Sequence, residues 1–187
     1  MTVLRERFTH PGAPDIEARN PFTVDGDTAR LELTGGHYTT IDLADLPLVA
    51  GYRWYRSSRG YVVATLRRNG DKKTIHFHRI ITGCNEVNKS VDHINGDKFL
   101  NRKQNLRVCS NQENSWNQRR VLSNQSGYKG VSLRKDTGKY RAKIKATGRI
   151  MRLGNYDTPE AAAHAYDAAA LEHFGEFARL NFPPLAA

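Results

Sequence analysis

Apolar and polar residues alternate in three separate stretches of the chain, and each stretch predicts a different unit. Between Ala29 and Asp42, Leu31 and Leu33 precede Gly35-Gly36, and Tyr38 and Ile41 follow, which predicts a hairpin with half-buried strands. Leu43–Val49 reads as a short helical turn. Tyr52-Arg53-Trp54-Tyr55 and Tyr61-Val62-Val63-Ala64-Thr65 read as β-stretches joined by Ser57-Ser58-Arg59-Gly60. Residues 1 to about 28 carry Pro11, Pro14 and Pro21 without a sustained period and are expected to be irregular. Together these make a small β-rich lobe. Tyr52, Trp54 and Tyr61 are assigned to its core, with DNA contact alongside Arg53, Arg56, Arg59, Arg67 and Arg68 as the alternative.

The second stretch is shorter. Thr74-Ile75-His76-Phe77-His78-Arg79-Ile80-Ile81 is expected to be a strand that carries His76 and His78 on one face. Ser90-Val91 is β-type, Asn95-Gly96-Asp97 signals a tight turn with positive φ, and Leu106-Arg107-Val108 is a returning strand. Ser110 and Glu113 have capping-box spacing, so a helix is expected from about Asn111. The unit is strand, loop, strand, helix, with Asp92 and His93 on one side and Asn114 in the first helical turn on the other.

The third stretch has the strictest alternation. In Lys139-Tyr140-Arg141-Ala142-Lys143-Ile144-Lys145 the four cations fall on one face of a strand and Tyr140, Ala142 and Ile144 on the other. Val131 and Leu133 before it, and Met151 and Leu153 after it, complete a three-stranded antiparallel sheet with turns at Asp136-Thr137-Gly138 and Thr147-Gly148. Thr158-Pro159 opens a helix that runs to about Phe174 and ends at Gly175. Ala161, Ala162, Ala165, Tyr166 and Ala169 form the stripe expected to meet the sheet. The fold class is therefore α+β: a β-rich N-terminal lobe (1–73), a ββα unit (74–122) and a sheet packed on one helix (123–187). Arg119-Arg120 and Ser123–Gly127 form the linker between the last two.

Composition adds a partner. Among 187 residues the formal net charge is +10; between Ser126 and Tyr156 nine Lys and Arg residues face one acidic residue, Asp136, which is +8 of that total. A charge so placed calls for a polyanion, duplex DNA before a membrane, since no basic amphipathic helix is evident. Two cysteines, Cys84 and Cys109, support neither a disulfide framework nor a structural zinc site. No apolar run approaches the roughly 20 residues of a membrane span, and Met1–Arg7 lacks an apolar signal core, so the expected compartment is cytoplasmic. No obligatory protein partner is evident.

The ββα unit supplies candidate chemistry. A hard divalent cation, Mg²⁺ in first place and Mn²⁺ as the alternative, neutralises charge on a phosphodiester and favours oxygen ligands such as the Asp92 carboxylate and the Asn114 amide carbonyl. His93, neutral near pH 7, can take a proton from water. The Asn105 amide can tie the loop together and hold His93 in place. On the expected strand face His78 is a further catalytic candidate, with His76 behind it, and Arg79 is a candidate phosphate clamp.

Residues 90–117 resemble the ββα-metal site of the phage and bacterial HNH homing endonucleases, the branch with Asp-His first and Asn in the final helix. The resemblance implies that Asp92 and Asn114 are metal ligands, His93 the general base and Asn105 the loop-bracing asparagine. It also includes a His-Arg pair at His78-Arg79. The final ligand position, histidine in many relatives, is Asn114 here. From Gly127-Tyr128-Lys129-Gly130-Val131 through Leu153–Asp157 and Glu160–Ala170 to Leu180-Asn181-Phe182-Pro183, the chain resembles the Apetala-two/ERF DNA-binding domain. The resemblance implies that the sheet enters the major groove. The family's contact positions include Lys129, Ser132, Arg134, Lys145 and Arg152; Lys139, Arg141 and Lys143 join them from the basic face. Several plant arginines and tryptophans are replaced, so the plant target does not transfer. The sequence thus predicts a metal-dependent, site-specific DNA endonuclease. The alternative is a DNA-binding regulator with an inactive nuclease remnant.

Overall fold

A computed structural model describes residues 18–118 and 125–183. Residues 1–17, Arg119-Arg120 and the first part of the expected linker lie outside the described residues. The chain divides into two compact units, one up to Ser110 and one from Asn111.

The first unit opens with β1 (Phe22–Asp25), β2 (Thr28–Leu33) and β3 (His37–Asp42), an antiparallel sheet in that order. The predicted hairpin is β2–β3. It turns at Gly35-Gly36, both at positive φ, and pairs Leu31 with Thr39 and Ala29 with Ile41. β1 falls inside the stretch expected to be irregular; at four residues it is too short to show a period. A 3₁₀ turn (Leu43–Asp45) and α1 (Leu46–Val49) follow, then a second antiparallel sheet of β4 (Tyr55–Arg56), β5 (Val62–Arg68) and β6 (Asp71–His76). Asn69-Gly70, both at positive φ, make the β5–β6 turn.

The expected strand through Ile81 ends at His76. Phe77–Thr82 is a helix, α2, closed by Gly83 in the left-handed region. His76 and His78 therefore do not share a strand face. Phe77, at the change of direction, is fully buried and makes an edge-to-face contact with Trp54, ring centroids 4.6 Å apart. Trp54 is at the centre of the core, and its indole N–H is satisfied by the Val49 carbonyl at 2.8 Å. β7 (Lys89–His93) and β8 (Leu106–Ser110) form the predicted antiparallel pair. Val91 and Leu106 belong to the same apolar cluster as Leu31, Leu33, Ile41 and Trp54, so one core runs beneath the lobe and the hairpin alike.

The second unit begins with α3 (Asn111–Trp116), at the expected start. Next come β9 (Val131–Leu133), β10 (Tyr140–Ala146) and β11 (Arg149–Tyr156), an antiparallel sheet in the order β11-β10-β9, and then α4 (Pro159–Phe174). Thr158 caps α4, its hydroxyl accepting from the Ala161 N–H at 3.2 Å. The helix buries Ala162, Ala163, Tyr166, Ala169, Ala170 and Phe174 against Val131, Ala142, Ile144 and Ala146. The expected stripe is displaced on one side: Ala161 is exposed, and Ala163 and Ala170 take part in the contact. Gly130 permits the close approach, since a Cβ there would lie 2.0 Å from the Tyr166 ring.

Candidate nuclease centre and nucleic-acid interface

The β7–β8 register decides the first contact. Asp92 stands opposite Arg107, whose Nε and Nη2 donate to the same carboxylate oxygen at 3.0 and 2.9 Å. Both side chains are nearly buried, at 12% and 8% exposure for Arg107 and Asp92, so the pair fixes the carboxylate with a charge-assisted fork.

His93 is the next residue, and the loop that follows β7 orients its ring. Its Nε2 lies 3.0 Å from Asn101 Oδ1. Asn101 is completely buried, and both of its amide hydrogens are engaged, by Thr39 Oγ1 at 2.8 Å and by the Lys98 carbonyl at 3.1 Å. The amide oxygen therefore faces the imidazole and can only accept, which places the proton on Nε2 and leaves Nδ1 as the basic nitrogen. Burial lowers the His93 pKa, against the Asn101 hydrogen bond and the Asp92 and Asp97 charges, which raise it. The ring is thus held neutral and in one tautomer.

Asn105 braces the loop, at a different place from His93. Its Oδ1 accepts from the Asn95 N–H at 3.1 Å and its Nδ2 donates to the Leu100 carbonyl at 2.8 Å. Asn101, which the sequence reading passes over, holds the histidine. Two asparagines four residues apart in one loop look alike in sequence, and the strand pairing of Thr39 is what separates them.

The β-rich lobe grips the same loop. The Asn101 N–H donates to the Thr40 carbonyl, and the Thr40 N–H to the Phe99 carbonyl, at 2.8 and 2.9 Å. Arg102 spans Asp42 and Asp27 at 2.6 and 2.7 Å, the Lys103 N–H meets Asp42 at 2.9 Å, and the Lys103 ammonium reaches buried Asp45. Burial alone would raise the Asp42 carboxyl pKa, but the Lys103 N–H and the Arg102 guanidinium outweigh it and hold it low.

Three histidine rings and a tyrosine gather beside this point. His78, from α2, sits edge-on to His93 with centroids 5.3 Å apart, and 5.3 Å from His76. Tyr61 is within 6.3 Å of all three. Tyr61 thus belongs with the histidines, while Trp54 lies in the core and Tyr52 packs at its edge. Burial, with the nearby His93, His76, Arg79 and Lys98, pulls the His78 pKa down to about 3, so it is neutral at working pH. Lys98 lies over the Tyr61 ring, 4.0 Å from its centroid. Arg79 is engaged by the fold: its guanidinium donates to the Lys89 and Glu86 carbonyls at 2.9 and 2.7 Å.

Asn114 lies on α3, half-buried, in the second unit. Among the described residues no three His, Cys, Asp or Glu side chains converge on one point. A carboxylate with an amide oxygen suits Mg²⁺, which keeps several waters and takes few protein ligands. It does not suit structural zinc.

The basic sheet face forms as the alternation predicts, with changes at its ends. Arg141 pairs across the sheet with Ser132 and Asn155, and Lys143 stands directly opposite Arg152. Arg134, Arg141 and Arg152 line one groove with Gly154 and Asn155. Among the described residues Arg141, Lys143, Lys145 and Arg152 have no ion-pair partner, and Arg141 Nε and Ser132 Oγ are buried without a hydrogen bond. Arg134 pairs with Asp136. Lys139 precedes β10 and pairs with Asp157 at 3.1 Å. Lys129 turns its ammonium to the Trp116 carbonyl and is half-buried.

Comparison with known proteins bears on both units. The AP2 domain family model matches residues 126–176. A protein of Acanthamoeba polyphaga mimivirus described as an uncharacterized HNH endonuclease is 33% identical over 151 residues, covering 78% of this chain and 75% of that one. Protein 3.8 of Escherichia phage T7 is 36% identical over 91 residues, 49% of this chain and 74% of its own. An ethylene-responsive transcription factor of Arabidopsis thaliana is 52% identical over 60 residues, 31% of this chain and 32% of its own. Among solved structures, one titled for DNA binding and cleavage by the HNH homing endonuclease I-HmuI aligns with a TM-score of 0.34 at 20% identity, over 75% of this chain and 89% of that one.

Proposed function

The chain belongs to the HNH endonuclease family and carries an AP2 domain, and we propose that it is a site-specific DNA endonuclease of homing type. The observation that carries this reading is the Thr39–Asn101–His93 chain of hydrogen bonds. It presents a neutral imidazole with Nδ1 as base, next in sequence to a carboxylate anchored by Arg107. In the proposed reaction His93 Nδ1 removes a proton from water as the oxygen attacks phosphorus. One P–O ester bond breaks, and the departing alkoxide takes up a proton. A bound divalent ion, Mg²⁺ or alternatively Mn²⁺, would supply neutralisation of the phosphate charge. Asp92 is the proposed carboxylate ligand, and Asn114 is assigned as a second ligand on its position in the sequence motif.

His78, neutral and edge-on to His93, is proposed to keep the base desolvated and in place. Asn105 keeps its assigned role in shaping the loop. By role we keep three segments, 1–73 as scaffold, 74–122 as nuclease and 123–187 as DNA anchor. On the anchor, Ser132, Arg134, Arg141, Lys143, Lys145 and Arg152 are the proposed duplex contacts. Viral and phage relatives suggest work in a host-cell cytoplasm; no helix among the described residues is long and apolar enough to cross a membrane.

A supercoiled plasmid library carrying genomic inserts tests the proposal. It is incubated with wild type and with His93→Ala, with and without Mg²⁺, and sequenced at the breaks. Metal-dependent, site-restricted breaks are expected, with the rate reduced about 10²- to 10⁴-fold in the variant. Specific binding without cleavage under Mg²⁺ and Mn²⁺ would identify a DNA-binding regulator instead.

A further inference from the structure

Six residues make α3, too few to be stable alone, since helix nucleation is costly and short isolated helices do not persist in water. Two of the contacts that fasten it come from the AP2 domain. The Trp116 indole stacks on Phe174, the last residue of α4, with ring centroids 4.5 Å apart and planes 14° from parallel. Trp116 thereby joins the apolar cluster of Ile144, Ala146, Tyr166, Ala169 and Phe174. At the same end of α3, Lys129 Nζ donates to the Trp116 carbonyl, placing a cation at the negative pole of the helix.

Lys129 is itself anchored through its backbone. Its N–H donates to Asn181 Oδ1 at 2.6 Å, and Asn181 in turn donates to Asp167 of α4. Burial, with Arg179 nearby, pulls the Lys129 pKa down to about 8, as expected for a half-buried ammonium. A residue of the basic set thus faces into the module as a brace.

We propose that the AP2 domain is a working part of the nuclease as well as its anchor: Trp116, Phe174 and Lys129 are positioning residues that keep α3 helical and Asn114 fixed upon it. This rests on the reading of Asn114 as a metal ligand. It predicts that contacts remote from the phosphate-binding face of the sheet control cleavage without controlling DNA affinity.

The test uses the full chain and a duplex selected on wild-type protein from a random-sequence pool in EDTA. Four quantities are compared: affinity in EDTA, single-turnover cleavage in Mg²⁺, the Mg²⁺ concentration at half-maximal rate, and hydrogen exchange of the Asn111–Trp116 amides. Phe174→Ala and Lys129→Met are expected to speed α3 exchange about tenfold and, at saturating protein, slow cleavage about 10- to 100-fold with a raised Mg²⁺ midpoint; EDTA affinity of Phe174→Ala is expected within about threefold of wild type. Trp116→Phe, which retains an aromatic stack, is expected to restore wild-type behaviour.

Normal cleavage despite fast α3 exchange overturns the inference, and so does unchanged α3 exchange in both variants. If Phe174→Ala loses DNA affinity together with cleavage, the domain core has failed, and Lys129→Met decides. Asn114→Ala separates the two readings. Normal cleavage in that variant removes the ligand assignment, while the exchange measurements still report whether the stack and the lysine hold α3.

Discussion

Arg107 and Arg152 each stand on a strand of an antiparallel pair opposite a charged residue, yet their surroundings are opposite. Arg107 faces Asp92, is nearly buried and donates twice to its partner. Arg152 faces Lys143, is exposed, and has no ion-pair partner among the described residues. Like charges directly opposed destabilise a sheet, and this pair supports the proposed duplex contact at Lys143 and Arg152. The first pair is complete within the protein. Net charge counts both arginines alike; pairing register separates an internal brace from an exposed cation set against another.

The sharpest way to break this contrast is to remove each guanidinium. Arg107→Met, which leaves Asp92 buried without its fork, is expected to cost about 3 kcal/mol in urea unfolding. Arg152→Met is expected to stay within about 0.5 kcal/mol of wild type while weakening DNA binding. Equal costs for the two would end the distinction.

Acid provides a second perturbation, read at two histidines of the first unit. With a folded-state pKa of about 3 against an ordinary 6.5, His78 binds fewer protons folded than unfolded between those values. Its favourable contribution is therefore complete above about pH 6.5 and is lost as pH falls toward about 3, with a slope approaching 1.4 kcal/mol per pH unit. His76, lowered by burial and by Arg79, adds in the same direction. Urea titrations followed by fluorescence at several pH values check this; His78→Phe is expected to flatten the slope.

The smallest effect is expected from Lys143→Ala. Stability should be unchanged, and the dependence of log affinity on log salt should become shallower by about one. An unchanged slope would remove Lys143 from the contact surface.

How much of this the chain discloses depends on whether the information is local. The β7–β8 hairpin follows from Asn95-Gly96 between two short apolar runs, and the basic sheet from the strict alternation of Lys139–Lys145, so both are legible. The end of β6 is not. Ile75-His76-Phe77 continues a strand pattern, and the packing of Phe77 on Trp54 where the helix begins is a contact between distant positions that the local pattern does not carry. Asn101 and Asn105 are interchangeable by composition, and their roles are set by Thr39, some 60 residues away. Arg79 and Lys129 read as contacts because charge is visible in sequence, whereas the backbone carbonyls that receive them are visible only in three dimensions.

The hydrogen bond from Asn101 to Thr39 joins positions 62 apart. Closing a loop of that length costs chain entropy, which the packing of the first unit as a whole offsets. The contact between Asn101 and His93 spans only eight residues, but the amide that makes it is oriented by the distant Thr39. A segment that holds His93 and Asn101 without the β-rich lobe therefore carries the right side chains without their arrangement.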